Sequence, residues 1–101
     1  MGSSKEYLEY VSEKLSGLPE VVFRPMMGEY ILYYRGKIVG GIYDDRFLVK
    51  PTPSALGMMP DAPKELPYEG AKPMLLVEEI DDGDFTCRLI SAIYDELPGA
   101  K

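Results

Sequence analysis

Five charged side chains within residues 24–50 are the first candidates for chemistry: Arg24, Glu29, Asp44, Asp45 and Lys50. Adjacent carboxylates such as Asp44 and Asp45 can act as an acid–base pair or bind a metal ion, and a buried lysine with a lowered pKa can act as a base. Aspartate is also a favoured turn residue, and a lysine that closes a strand is usually solvated. We therefore expect a turn at Asp44–Asp45 and a solvated Lys50, with no catalytic or metal-binding role.

The lack of histidine and the single cysteine, Cys87, exclude several kinds of site. A structural zinc site takes about four Cys or His ligands, and catalytic triads or Cys–His dyads need a histidine. Gly28 is expected to permit a bend or a positive φ, but a strand follows it, so it does not open a phosphate loop. The acidic run at residues 78–84 fails as a calcium loop because Ile80 occupies a ligand position. We predict no enzyme activity and no cofactor.

Helix signals occur at three places in the chain. Ser3 and Glu6 form a capping box before a helix at about residues 4–16, which Gly17 is expected to close in a left-handed conformation. Thr52 precedes a proline and predicts the start of a short second helix. An aspartate at position 81, 82 or 84 is expected to cap the last helix, which Pro98 and Gly99 end.

Strand signals dominate the middle of the chain. Val21–Phe23 predicts a strand that ends at Pro25 or lies at a sheet edge, since proline cannot donate to a ladder. Residues 30–34, 37–43 and 46–50 complete an antiparallel meander with tight turns at Arg35–Gly36 and Asp44–Asp45. Residues 60–73 are proline-rich and predict an extended segment that wraps the surface, before a buried strand at residues 74–77. The pattern indicates an α+β fold, with residues 1–101 as one domain.

The meander carries apolar side chains on both of its faces. Alternation places Tyr30, Leu32 and Tyr34 on one face, with Ile31 and Tyr33 on the other. By the same rule Ile38 and Ile42 share a face opposite Val39 and Tyr43, and Tyr33 and Tyr43 are the expected exposed pair. Gly40–Gly41 indicates a bulge or the close approach of another backbone. Such a sheet needs cover on both sides, from helices or from a partner.

We therefore predict a noncatalytic module that binds another protein, or itself as a homodimer, through this sheet. The meander has five basic and three acidic residues in a chain whose net charge is -6, so it is the least acidic part of the molecule. The candidate interaction surface consists of Arg24, Met27, Gly28, Glu29, Tyr33, Tyr43, Asp44, Asp45 and Lys50.

Two other functions stay open from the sequence. Arg24, Arg35, Lys37 and Arg46, with exposed tyrosines, could bind nucleic acid, although the overall negative charge predicts poor affinity. A small enzyme would need carboxylates or Lys50 to converge in a pocket under the proline-rich segment. No apolar run reaches the roughly 20 residues of a membrane span, and the start of the chain has no signal-peptide core, so we expect a cytoplasmic protein without membrane contact.

One motif begins with Arg24-x-Met26-Met27-Gly28 and continues through the tyrosine-rich strand, Arg35–Gly36, Asp44-Asp45-Arg46 and Lys50. This motif resembles the N-terminal domain of the TfoX/Sxy family. The resemblance covers nearly the whole chain and is sharpest over residues 24–50. It implies an α+β domain similar to small bacterial secretion chaperones, which are acidic and often dimeric. Named members regulate natural competence and have no established active site. Many members have Phe and Gly where this chain has Met27 and Glu29, and two-domain members continue into a helical domain.

Overall fold

Three tight hairpins connect the first four strands in the computed structural model of the protein, which describes residues 3–98. Their central pairs, Met27–Gly28, Arg35–Gly36 and Asp44–Asp45, all have positive φ. Two-residue turns of this kind match the right-handed twist of the flanking strands. The predicted turns at Arg35–Gly36 and Asp44–Asp45 are confirmed, and the positive φ expected at Gly28 belongs to a third hairpin. These turns join β1 (Val21–Met26), β2 (Glu29–Tyr34), β3 (Lys37–Tyr43) and β4 (Arg46–Val49).

The α+β class predicted from the sequence is confirmed. Helix α1 (Lys5–Lys14) precedes the meander, and α2 (Pro53–Met58), β5 (Lys64–Glu65), β6 (Met74–Leu76) and α3 (Gly83–Glu96) follow it. The described strands form one antiparallel sheet in the order β1-β2-β3-β4-β6-β5. Strand β1 lies at an edge, as Pro25 predicted, but it continues through Pro25 to Met26. Among residues 3–98, no helix combines the length and the apolar character needed to cross a bilayer.

A side chain caps the start of each described helix. The Ser4 hydroxyl accepts a hydrogen bond from the Tyr7 N–H at 3.1 Å, so Ser4 caps α1 and the predicted box at Ser3 is wrong by one residue. Thr52 and Asp82 cap α2 and α3, as the sequence predicted. The prediction of a left-handed Gly17 is also wrong: α1 ends at Lys14 with Leu15 as its C-cap, and Gly17 does not have a positive φ.

The helices cover one side of the sheet, here called the inner face. Val11 and Leu15 of α1 and Leu89, Ile90 and Ile93 of α3 are fully or almost fully buried there. They pack on strand residues Leu32, Tyr34, Val39, Ile42, Phe47, Val49 and Leu75. Burying this continuous set of aliphatic side chains is the main stabilising contribution to the fold.

A bulge in β3 changes which of its residues share a face. Leu32 pairs with Gly40 but Tyr33 pairs with Ile38, so one residue of β3 is skipped in the ladder. Val39 and Ile42 consequently both point into the core, while Ile38 and Tyr43 lie on the opposite, outer face. The predicted grouping of Ile38 with Ile42 is therefore wrong, because strict alternation does not hold across a bulge.

Candidate interaction surface

An apolar groove runs along the outer face of the sheet, beside residues 66–73, here called the covering segment. It has a volume of about 570 Å³, a size that suits a drug-sized ligand or several peptide side chains. From Ile38 to Tyr43 it follows most of β3, roughly 17 Å of strand. We call it the outer groove; it is lined by Met26, Ile31, Ile38, Tyr43, Lys50, Pro51, Thr52, Pro67, Tyr68, Ala71, Lys72, Pro73, Met74 and Leu97.

Arg46 fixes the covering segment to the sheet. Its Nη1 lies 2.6 Å from Oε1 of Glu65, its Nη2 donates to the carbonyl of Leu66 at 3.2 Å, and its Nε donates to the carbonyl of Tyr43 at 3.0 Å. A planar guanidinium suits this forked arrangement better than an ammonium group would. The surface-wrapping path predicted for residues 60–73 is thus confirmed, with the unpredicted strand β5 at its start.

The covering segment leaves part of the outer face open. Leu48 of β4 alternates with core residues and lies outside the core cluster, so its side chain is on the outer face. It nevertheless has no exposed surface, which shows that this half of the outer face is covered. Towards β1 the cover ends. Val22 is exposed there, and Met26 and Ile38 are 41% and 37% exposed. Apolar side chains exposed together around a groove are typical of a binding surface.

Tyr43 forms part of the groove floor and is not exposed as predicted. Only 7% of its surface is accessible, because Tyr68 of the covering segment lies over it with the ring centroids 6.3 Å apart. Burial raises the pKa of the Tyr43 hydroxyl, with smaller contributions from Tyr68, Glu29 and Tyr33. Tyr33 is half-buried on the same face.

Arg24 lies on the outer face of the edge strand and stacks on Tyr33. Its guanidinium carbon is 5.3 Å from the centroid of the Tyr33 ring. An ion pair of Arg24 with Glu29 or a turn aspartate, the usual role of an arginine in a small fold, does not occur among residues 3–98. Arg24 remains exposed, with its charge available to a partner.

Glu29 and Asp45 fasten the start of α1, together with the backbone N–H of Asp44. Oε1 of Glu29 accepts hydrogen bonds from the Ser3 hydroxyl at 2.7 Å and from the Asp44 N–H at 3.0 Å. Oδ1 of Asp45 accepts from the Ser4 N–H at 2.8 Å. Nearby, the carbonyl of Gly28 accepts from the Ser3 N–H. Glu29 and Asp45 thus each hold one serine at the start of α1.

The other members of the predicted surface separate. Met27 is 96% exposed at the tip of the first hairpin, outside the outer groove. Lys50 lines the groove beside Pro51, while Arg24, Glu29, Asp44 and Asp45 do not. No two of these five residues line the outer groove together, so the convergence that a carboxylate–lysine enzyme would need is not found there. Within residues 3–98 no group of three or more Asp, Glu or Cys side chains is arranged to hold a metal ion.

Two of the four basic residues considered for nucleic-acid binding are occupied within the fold. Nζ of Lys37 donates to the carbonyls of Tyr94 and Leu97 at 3.3 and 3.1 Å, at the end of α3. Arg46 is held by Glu65. Arg35 stacks on Tyr34 and lies 4.0 Å from a carboxylate oxygen of Glu20. The basic residues therefore do not combine into one free surface.

Sequence reasoning missed several groove residues, and the reasons differ. Ile38 was assigned to the wrong face because of the bulge. Tyr68 and Lys72 lie in a segment without the periodicity that would reveal which side chains point inward. The proline-rich composition signalled only that this segment crosses the surface. Met26 belongs to the motif, yet its role at the groove depends on β1 continuing past Pro25.

Comparison with known proteins supplies one relative. Over 80 residues the chain is 30% identical to an uncharacterised 12.7 kDa protein in the trpE 5′ region of Spirochaeta aurantia, an alignment that covers 79% of this chain and 70% of that protein. The two belong to one family. No known family's sequence profile matches the chain. No solved structure matches it either.

Proposed function

We propose that the protein is a noncatalytic interaction module that binds another protein through the outer face of its sheet. The observation that carries this proposal is the one-sided placement of the helices: α1 and α3 bury the inner face, whereas Met26 and Ile38 remain exposed beside a groove of about 570 Å³. An exposed apolar groove of this size, formed between the strands and the covering segment, favours docking of a partner.

The noncatalytic part of the proposal is supported by what the charged side chains do. Glu29 and Asp45 hold Ser3 and Ser4, Arg46 holds Glu65, and Lys37 binds the end of α3. Each contact stabilises the fold, so these groups have a structural reason to be present. A reactive group would be expected to face a concavity with a base or an acid beside it.

The resemblance to the TfoX/Sxy N-terminal domain extends this proposal to a regulatory role in the bacterial cytoplasm. The Spirochaeta relative is itself uncharacterised and adds no activity. Self-association through the same face, giving a homodimer, is the second form of the interaction role. Light scattering of the purified protein across a concentration series distinguishes a monomer from a dimer.

The test of the proposal is capture of a partner that depends on the outer groove. The full chain serves as bait, and a captured protein is then purified and recombined with it to measure a dissociation constant. Met26→Glu and Ile38→Asp should weaken this binding by at least tenfold, since each places a charge in the apolar contact. Leu56 is 41% exposed on α2, away from the groove, so Leu56→Glu is the matched control. Equal loss in the control, or none in the groove variants, would refute the proposal.

A further inference from the structure

The charge of the outer groove is opposite to that of the molecule. The chain carries 17 acidic and 11 basic residues, yet the residues that line the groove include Lys50 and Lys72 and no carboxylate. Four acidic side chains lie near the groove without lining it. Glu29 and Glu96 accept hydrogen bonds from Ser3 and Ser54, Glu65 is paired with Arg46, and Glu69 is exposed on the covering segment. The charged side chains that line the groove itself are therefore both cationic, although the protein is acidic.

The two lysines lie at the same end of the groove. Val49 pairs with Leu75 at the end of the β4–β6 ladder. Lys50 follows Val49 and Lys72 precedes Leu75 by three residues, so both lysines lie beyond this pair at the same end. The other end is formed by Met26 and by Tyr43 with the tyrosine that covers it. The groove is thus apolar along its length and positive at one end. Among residues 3–98, neither lysine forms an ion pair.

From this arrangement we infer that the occupant of the outer groove is an acidic, apolar segment of a partner protein, whose aliphatic side chains fill the groove and whose carboxylates lie at Lys50 and Lys72. The inference rests on the proposed interaction role and adds the chemistry of the partner. Complementary charge at the edge of an apolar contact selects the partner and its orientation. Arg24, stacked on Tyr33 at the neighbouring edge strand, gives the same face a third cation.

A second copy of this chain fits the groove less well than such a partner. Face-to-face contact of two copies would bring together surfaces that both carry Arg24, Lys50 and Lys72 and whose groove linings offer no carboxylate. Like charges facing each other at an interface oppose binding. We therefore expect the purified chain not to dimerise through this face.

A pair of peptides tests the inference directly with the full chain. The first is a fluorescein-labelled peptide of eight alternating leucine and serine residues followed by two glutamates; the second has two lysines in place of the glutamates. Fluorescence anisotropy should show tighter binding of the acidic peptide by roughly tenfold at low salt. Raising the salt concentration should reduce this difference, because exposed charge pairs are screened.

Variants locate the binding site. Lys50→Gln and Lys72→Gln should each weaken binding of the acidic peptide by roughly two- to fivefold. Binding of the lysine peptide should be unchanged or slightly tighter. Lys64→Gln is the matched control, because Lys64 is exposed on the same sheet but does not line the groove. Met26→Glu should weaken the binding of both peptides.

The inference is overturned if the lysine peptide binds as well as the acidic one, if neither peptide binds, or if Lys50→Gln and Lys72→Gln behave like Lys64→Gln. If the chain dimerises and Ile38→Asp abolishes the dimer, the occupant of the outer groove is a second copy of the chain, and the inference is also overturned. These failures differ from failure of the proposed function. A natural partner lost on Met26→Glu but insensitive to Lys50→Gln and Lys72→Gln would preserve the interaction role and remove only the acidic partner.

Discussion

The ring of Tyr43 lies over Gly41 on the outer face of the sheet. A Cβ at Gly41 would stand 2.7 Å from Cε2 of Tyr43 and 2.7 Å from the carbonyl oxygen of Tyr30. No side chain fits in that space, so glycine allows the ring to form the groove floor. The close approach of another backbone that Gly40–Gly41 indicated is confirmed, since a Cβ at Gly40 would also meet the carbonyl of Leu48.

Gly41→Ala should therefore lower the free energy of unfolding by about 1–3 kcal/mol, the usual cost of forcing an extra group into a packed site. Urea denaturation followed by circular dichroism measures the change. Gly57→Ala is the control, because a Cβ there meets nothing within 4 Å. Gly57 lies in α2, so alanine should raise the stability or leave it unchanged. Equal effects of the two substitutions would contradict the close packing of Tyr43.

Glu65→Gln should loosen the covering segment. The carboxylate is 2.6 Å from Arg46 and both side chains are about one-third exposed, so we expect a loss of about 1 kcal/mol in stability. Amide hydrogen exchange at Ala71, whose N–H donates to the carbonyl of Tyr68, should accelerate more than exchange in β2. The longer, more exposed pair of Glu20 with Arg35 supplies the control: Glu20→Gln should change stability by less than about 0.5 kcal/mol. An unchanged exchange rate at Ala71 in Glu65→Gln would show that the pair does not anchor the segment.

Lys37→Met should destabilise the end of α3. The ammonium group donates to two carbonyls in its last turn and lies 4.2 Å from the centroid of the Tyr94 ring. Methionine keeps most of the side-chain length but removes the donors and the charge, so we expect a loss of about 1 kcal/mol in thermal unfolding. Lys64→Met, at an exposed position, should have little effect. A stability change in Lys37→Met no larger than in that control would rule out the capping role.

The contact between α2 and α3 should depend on pH through Glu96. Its carboxylate accepts hydrogen bonds from the N–H and the hydroxyl of Ser54 at 2.9 and 2.7 Å, which lowers the pKa of Glu96 below its ordinary value of 4.5. A carboxylate whose pKa is lower in the folded state than in the unfolded state stabilises the fold at pH values above its unfolded-state pKa. This stabilisation disappears as the pH falls through the folded-state pKa. Glu96→Gln should thus be destabilising at neutral pH, with the difference from the parent protein shrinking below about pH 4.5.

Denaturant unfolding at a series of pH values measures this difference. Asp95→Asn is the matched control, because the Asp95 carboxylate accepts no hydrogen bond among residues 3–98. This substitution should give a smaller difference in stability. A Glu96→Gln deficit that persisted unchanged into acid would show that the ionised carboxylate is not the source of the stabilisation.

Local signals in the sequence were sufficient for most of the secondary structure. Turn pairs such as Asp44–Asp45 and the caps at Thr52 and Asp82 each act through neighbouring backbone groups, so their effect can be read from a few residues. The fold class followed from the order of these elements. Errors arose where the deciding contact is distant in sequence, as when Ser3 bonds to Glu29 and leaves the capping of α1 to Ser4.

The candidate site was less predictable because it depends on tertiary packing. Lys50 was selected from the sequence and does line the groove, but Tyr43 was expected to be exposed. Its burial depends on Tyr68, 25 positions further along the chain, and on the pair of Arg46 with Glu65 that fixes the intervening segment. Neither contact has a local sequence signal.

Methyl NMR spectra of the full chain, recorded as a reconstituted partner is added, test most directly whether partners bind the outer face. The methyl groups of Met26, Ile31 and Ile38 report on the outer groove, and those of Leu8 and Leu56 report on the helices. We predict shifts or broadening in the first set at substoichiometric partner concentration, with the second set unchanged. Perturbation confined to Leu8 and Leu56, with the groove methyls unaffected, would contradict the account.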